Sequence, residues 1–318
     1  MQKKVLITGG CGFIGSNLVE SFINNENFSL VRVLDDLSTG KLANLQEFKS
    51  HPKLQFIEGD IRNISVCKEA CKGIDLVSHQ AALGSVPRSV KDPITSTEVN
   101  INGFINILWA AKEENIKRIV YASSSSVYGD SMDSPKVESK TGKVLSPYAA
   151  TKMSNELIAQ SFANNYGLTI IGLRYFNVFG PKQSPDGPYA AVIPLFLNAA
   201  IESKAPNING DGTITRDFTP VSNVVQINQN ALLKDLPSGN HFVLNVACGE
   251  TTTLNQIWSI IEEISGNKVK PNYTSMRQGD ILHSLADISL AKKILDYRPE
   301  LNIKDAIRLA FDYYNKTY

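Results

Sequence analysis

Short apolar runs recur along the chain and alternate with segments of helical pattern. Val5-Leu6-Ile7 leads into a helix over about 14–23, and Leu30 to Leu34 forms a second strand. Phe56-Ile57, Leu76-Val77 and Ile119-Val120-Tyr121 continue the series, with helices near 65–72 and 95–114 between them. Thr169 to Leu173 reads as a sixth strand. Such alternation predicts an α/β fold, a Rossmann-type doubly wound parallel sheet with helices on both faces. Past about residue 180 the character changes. Pro181 to Pro188 (PKQSPDGP) and 206–212 are turn-rich, Phe242 to Val246 is one more strand, and the end from Thr253 is helical. The pattern divides the chain into a nucleotide-binding unit, 1–180 plus about 219–247, and a smaller α/β substrate unit, about 181–218 plus 248–318. No repeat or flexible linker separates them.

Composition narrows the function. Hydrophobic residues make up 42% of the 318, enough for a sizeable core. The 32 basic and 31 acidic residues leave a net charge of +1, without the one-sided positive field of nucleic-acid or membrane-surface proteins. No stretch has the length and apolarity of a membrane span, and MQKKVLITGG is not a signal peptide. Of the four cysteines only Cys67 and Cys71 are close, with no His or Cys pair to complete a metal site. No metal is expected, and the setting expected is cytoplasmic.

The first strand ends in ITGGCGFIG, where Gly9, Gly12 and Gly15 stand three apart. Between a strand and a helix, glycines let the backbone turn sharply and approach a pyrophosphate, which the helix N-terminus then attracts. The second strand ends in Asp35, 20 residues on from Gly15. A carboxylate there accepts bonds from a ribose 2′-OH and repels a 2′-phosphate, so NAD is favoured over NADP. Asp36 is an alternative ribose ligand. Asp60, after the third strand, stands where a short polar residue can meet the adenine.

SPYAATK places Tyr148 and Lys152 at i and i+4 at the start of a helix, on one face. A phenol has a pKa of about 10. A neighbouring lysine cation and an oxidised nicotinamide favour its phenolate and make it a base. The strand Ile119 to Ala122 runs into four serines, Ser123 to Ser126. Its C-terminal end opens on the cofactor crevice, so a serine there can bond the substrate oxygen that Tyr148 deprotonates. Ser124 is the candidate, and Ser123 fits best as a polar strand end without chemical use.

GGCGFIG, YASSSSVYG, SPYAATK and LRYFNVFGP together resemble the extended short-chain dehydrogenase/reductase family, and within it the nucleotide-sugar 4-epimerases. The likeness covers nearly the whole chain. It implies a catalytic set of Ser124, Tyr148 and Lys152, with Lys152 also on the nicotinamide ribose. It places Phe13, Ile14, Ile61, Gln80, Ala81, Ala82, Asn100 and Tyr175 at the cofactor, beside the glycines and acids named above. Family dehydratases carry an Asp-Glu pair after the Ser124 position, and uronate decarboxylases a Glu before VYG. Here those positions are Ser125 and Ser126, which are not acids for elimination at neutral pH. That leaves oxidation and re-reduction, an epimerisation, with these serines as hydroxyl ligands.

The resemblance further implies a UDP-sugar substrate. Asn177, Arg216 and Arg277 would hold its diphosphate and Asp280 its ribose, since guanidinium groups pair bidentately with phosphate. Tyr189, Ala190 and Val192 would surround the uracil, and Gly84 and Ser85 would line the sugar pocket. Ser284, four residues after Asp280, falls where galactose-restricted relatives can carry a tyrosine beside C2, and its small size leaves room for an acetamido group. The expected reaction is NAD-dependent C4 epimerisation of UDP-N-acetylglucosamine to UDP-N-acetylgalactosamine through a 4-keto sugar, with UDP-glucose and UDP-galactose as a further pair. A UDP-glucuronate 4-epimerase and a non-catalytic nucleotide sensor are the alternatives. A homodimer through helices near 95–114 and 148–165 is expected from the resemblance.

Overall fold

The structure, a computed structural model, describes residues 2–186, 190–276 and 283–317. Seven strands form one parallel sheet: β1 (Lys3–Thr8), β2 (Phe28–Asp35), β3 (Leu54–Glu58), β4 (Leu76–His79), β5 (Arg118–Ser124), β6 (Thr169–Tyr175) and β7 (His241–Val246). Their spatial order is β7-β6-β5-β4-β1-β2-β3. The order reverses between β1 and β4, and in such sheets the ligand crevice lies at that switch, beyond the strands' carboxyl ends. The expected sheet is thus present. β6 is buried at every residue, as a parallel strand covered on both faces must be.

Helices cover both faces. α1 (Phe13–Ile23) and α8 (Val221–Leu233) pack one side with Leu18, Phe22, Val224 and Ile227. α2 (Ile64–Cys71), α5 (Gly103–Glu113) and α6 (Pro147–Tyr166) pack the other with Cys67, Phe104, Ile107 and Ala159. A third cluster joins α7 (Val192–Ile201), α9 (Leu254–Ser265) and α11 (Ile303–Thr317) through Phe196, Trp258 and Ile307. α10 (Ser289–Leu295), which the sequence division gives to the smaller unit, sends Ala291 and Leu295 into the first cluster instead. Among the described residues no helix is long and apolar enough to cross a membrane.

The helix expected over 95–114 is present as one helical run from Pro93 to Glu113, with a π-helical turn inside it. α3 (Val86–Lys91) and α4 (Pro93–Thr97) precede a π-helical turn over Glu98–Asn102, and α5 follows. Each of the two short helices has a proline in its first turn, which is compatible with a start but not with continuation from before. The π-turn inserts an extra residue and brings Asn100 inward, 1% exposed. α6 has conventional ends: Ser146 caps its start by accepting from Ala149 N, Pro147 follows, and Gly167 closes it in the left-handed region at φ 67°. These caps fix where the helix begins, and Tyr148 falls in its first turn.

Candidate active site

One cleft of about 430 Å³ runs across the carboxyl ends of the strands. It is lined by Gly9, Gly12, Phe13, Ile14, Gly15, Asp35, Asp36, Ile61, Gln80, Ala81, Ala82, Gly84, Ser124, Tyr148, Lys152 and Tyr175. Most of the residues predicted for the cofactor and for catalysis, drawn from between Gly9 and Tyr175, therefore meet in one place.

The cleft fits a dinucleotide at its glycine end. Gly9 sits at φ +70°, and a Cβ on it would stand 2.7 Å from Ala81 N. A Cβ on Gly15 would meet Gly9 O at 2.0 Å. Only glycines allow the loop to lie this close to the β4 end, and that closeness leaves room for a pyrophosphate. The first intrahelical bond of α1 is Ser16 N to Gly12 O, so the amides of its first turn precede the ladder and suit an anion. Asp35, 7% exposed, accepts from Cys11 N at 2.8 Å and Leu37 N at 2.9 Å. Burial raises its carboxyl above the usual value while those two amides oppose the shift. It braces the glycine loop as well as facing the cleft. Asp36 Oδ1 accepts from Ser38 N and Oγ. Both carboxylates stand at this end of the cleft, where negative charge opposes a 2′-phosphate.

Two residues assigned to the cofactor are otherwise engaged. Asp60 does not line the cleft: its Oδ2 accepts from Arg62 Nε at 2.8 Å and Nη2 at 2.6 Å, which lowers its pKa. Asn100 accepts from Leu83 N at 2.8 Å and donates to Thr151 Oγ1 at 3.1 Å. It ties the loop after β4 to α6 and so shapes the cleft wall from behind. Gln80 and Tyr175 meet Asn228 of α8, which donates to the Tyr175 hydroxyl at 2.9 Å. Sequence reading missed Asn228, because a polar residue in a helix carries no signal of its partner.

At the other end Tyr148 and Ser124 line the cleft together, the serine hydroxyl near enough to draw the phenol's pKa downward. Lys152, 3% exposed, donates to the Ala122 carbonyl at 2.7 Å and lies 5.9 Å from the centre of the Tyr148 ring. Burial pushes the phenol above 10, and only the Ser124 hydroxyl acts against it. Burial also brings Lys152 down to about 8. The lysine cation expected to favour the phenolate is thus not the dominant influence within the protein; desolvation outweighs it at this depth. Ser124 Oγ also accepts from Ser126 N at 3.2 Å. Ser126 Oγ is buried with no hydrogen-bond partner among the described residues, and Ser125 is half-buried in the turn that follows β5.

The serine expected to be without use is engaged. Ser123 Oγ donates to Glu156 Oε1 at 2.6 Å, and Glu156 is paired with Arg174. Arg88 of α3, absent from the sequence candidates although it stands in the quoted GSVPRS, lines the cleft. Its helix touches the candidate base directly: Ser89 Oγ accepts from Tyr148 N at 3.0 Å. Ser85 caps that helix by accepting from Arg88 N at 3.2 Å.

Of the substrate candidates Gly84 and Ser124 line this cleft, whereas Asn177, Arg216, Ala190, Val192 and Ser284 are not among its lining residues. Asn177, at φ +35°, donates to Asp217 O at 3.1 Å. Buried Asp217 accepts from Cys248 N, Gly249 N and Ala286 N, and burial raises it to about 6. Arg216 Nη1 donates to Thr215 O at 2.9 Å, and the amide of half-buried Ser284 donates to the same carbonyl at 3.3 Å. Ala190 and Val192 are half-buried at the approach to α7. Tyr189, Arg277 and Asp280 lie outside the described residues.

Known proteins share this fold. The UDP-N-acetylglucosamine 4-epimerase from Methanobrevibacter ruminantium M1, solved in complex with UDP-N-acetylmuramic acid, is 38% identical, with a TM-score of 0.94 over 100% of this chain and 99% of that one. The UDP-glucose 4-epimerase of Thermotoga maritima with UDP-glucose is 33% identical, with a TM-score of 0.91 and 99% of each chain covered. The UDP-glucuronic acid 4-epimerase of Bacillus cereus, with UDP-glucuronic acid and NAD, is 32% identical, with a TM-score of 0.90 over 99% of this chain and 100% of that one. The profile of the NAD dependent epimerase/dehydratase family matches residues 5–247, the span that carries both the glycine loop and the Ser124–Tyr148–Lys152 set. By that match, and by likeness along its whole length, the chain belongs to the NAD dependent epimerase/dehydratase family.

Proposed function

We propose that this enzyme of the UDP-sugar 4-epimerase class interconverts UDP-N-acetylglucosamine and UDP-N-acetylgalactosamine. The observation that carries the reaction type is the meeting of Ser124, Tyr148 and Lys152 in one cleft, at a strand end followed by two further hydroxyls, Ser125 and Ser126, and no carboxyl group. Tyr148 takes the proton from sugar O4 and later returns it. Ser124 bonds the same oxygen and holds it against the phenol. Lys152 anchors the nicotinamide ribose and keeps positive charge beside the phenol. When bound, NAD accepts the C4 hydride and gives it back, and its pyridinium charge favours the phenolate. The 4-keto sugar turns about its diphosphate linkage between the two steps, so the hydride returns to the opposite face. A serine in place of an acid at 125 and 126 supplies no proton for loss of water, which keeps the ketone on the epimerisation path.

The acetylated sugar is favoured by the small side chain at Ser284 and by the 38% likeness to the M. ruminantium enzyme. Asn177, Arg216 and Arg277 are the proposed diphosphate ligands, Asp280 the ribose ligand, and Tyr189, Ala190 and Val192 the uracil contacts. The uronate reading has one observation of its own. The Arg88 guanidinium lines the cleft with no hydrogen-bond or ion-pair partner among the described residues, and it could pair with a C6 carboxylate. A homodimer is supported by apolar residues of α6 left without cover within the chain, Leu157 at 69% and Tyr166 at 41% exposed.

Steady-state kinetics on a panel of UDP-sugars separate these readings. The kcat/KM for UDP-N-acetylglucosamine should exceed that for UDP-glucuronate by about tenfold or more, the equivalent of ~1.4 kcal/mol in transition-state binding. The opposite order would transfer the assignment to the uronate.

A further inference from the structure

Three side chains of α6, one turn apart, reach three successive residues at the end of β5. Tyr148 meets Ser124 in the cleft. Lys152 Nζ bonds the Ala122 carbonyl at 2.7 Å. Glu156 Oε1 accepts from Ser123 Oγ at 2.6 Å. The third rung is itself clamped. Arg174 gives Glu156 two bonds, Nε to Oε1 at 2.9 Å and Nη2 to Oε2 at 2.8 Å. It stands directly across from Ser123 in the β5–β6 register.

This strand end needs such a tie. β4 pairs with β5 only as far as Tyr121, whereas β6 pairs with it through Ser124. Residues 122–124 therefore have a strand neighbour on one side alone, and their position relative to α6 rests on the rungs. Two of the rungs belong to groups that touch cofactor or substrate during turnover. The third, although Ser123 also lines the cleft, is tied to a buried ion pair that is not assigned to cofactor or substrate.

We propose that Ser123 is a positioning residue: its bond to the Glu156–Arg174 pair holds the end of β5 at the depth that brings the Ser124 hydroxyl onto Tyr148. The proposal rests on the reading of Ser124 and Tyr148 as the catalytic pair. A displacement of about 1 Å at such a contact can cost up to ~10²-fold in rate. The expected consequence is also visible without substrate, because the Ser124 hydroxyl is what lowers the Tyr148 pKa against burial. The charged groups around the phenol stay in place when Ser123 loses its hydroxyl. These are Lys152 on α6, Arg88 on α3, and the Glu156–Arg174 pair, which keeps both of its direct bonds. His79 on β4, pushed down to about 3 by burial, remains neutral.

The test uses the NAD-loaded protein and its Ser123→Ala and Ser123→Thr variants. Phenolate absorbance is titrated in each with and without Tyr148→Phe, so that the difference isolates Tyr148. Ser123→Ala should move the Tyr148 midpoint upward by about half a unit or more, as expected when a hydrogen bond favouring the charged form weakens. Ser123→Thr, which keeps the hydroxyl, should restore it. In turnover assays Ser123→Ala should lose about tenfold in kcat, with KM and bound NAD unchanged. An unmoved midpoint overturns the proposal, as does a lowered melting temperature with midpoint and kcat both unchanged, which assigns the hydroxyl to stability alone. A moved midpoint in a protein that turns over no UDP-hexose upholds the positioning role and defeats the substrate reading instead.

Discussion

Tyr148→Phe should lower turnover by about 10²–10⁴-fold while leaving NAD bound. The phenol sits in the first turn of α6, facing the cleft with Ser124, its ring centre 5.9 Å from the Lys152 amine. The fold does not lean on the hydroxyl. The backbone of Tyr148 is held by Ser89 Oγ at 3.0 Å, and the helix start by Ser146 and Pro147. The cofactor end of the cleft, from Gly9 to Asp36, is made by other elements. Loss should therefore appear in kcat, with little change in melting temperature or in NAD released by acid extraction. The sign of the pH dependence follows from the same geometry. Burial raises the phenol above its ordinary pKa, so the base form grows as pH rises and wild-type turnover should climb with it. The variant should lose that limb of the profile. Near-normal activity with the limb intact would remove Tyr148 from the role of base.

Glu156→Ala should destabilise the protein by about 3–5 kcal/mol, the usual cost of stripping the partner from a buried charge. The Arg174 and Glu156 side chains are only 4% and 7% exposed. Without Glu156 the guanidinium keeps its bond to Glu138 O at 3.1 Å and its place over the Tyr128 ring, but it loses its direct ion pair and retains only the weaker pull of the Glu138 carboxyl. Against a typical total of about 5–15 kcal/mol this is a large share. Denaturant unfolding should show the midpoint shifted strongly. The paired variant Glu156→Leu with Arg174→Leu should recover much of the loss, since a buried pair replaced by apolar groups is often close to neutral. Equal stability of Glu156→Ala and wild type would mean that water reaches Arg174 and that the pair is not a buried one.

These two residues also mark where the sequence stops being legible. The seven strands announced themselves as apolar runs, because a parallel sheet covered on both faces leaves few polar positions. The glycine loop was readable because Gly9, Gly12 and Gly15 answer to a backbone requirement that no other residue meets at that spacing. Tyr148 and Lys152 were readable because i and i+4 positions share a helix face. α8 was not, since Asn223 and Asn228 are buried in it and interrupt its apolar stripe. The π-turn inside the 93–113 helix was not, because it leaves the surrounding pattern apolar. The roles of Ser123, Glu156 and Arg174 could not be read at all. They come from three elements, and only the β5–β6 register and the position of α6 bring them together. Asp60 shows the converse. Its place after β3 suggested the adenine, yet Arg62, two residues on, takes its carboxylate.

The central claim is a hydride that leaves C4 and returns to C4 within one active site, and isotopic labelling tests it most directly. The NAD-containing protein is incubated with UDP-N-acetylglucosamine deuterated at C4, and the product sugar is read by NMR and mass spectrometry. The account predicts UDP-N-acetylgalactosamine that retains the deuterium at C4 with inverted configuration, and no label in solvent. Deuterium washed out into water, or a product lacking water or carbon dioxide in place of the C4 epimer, would contradict it.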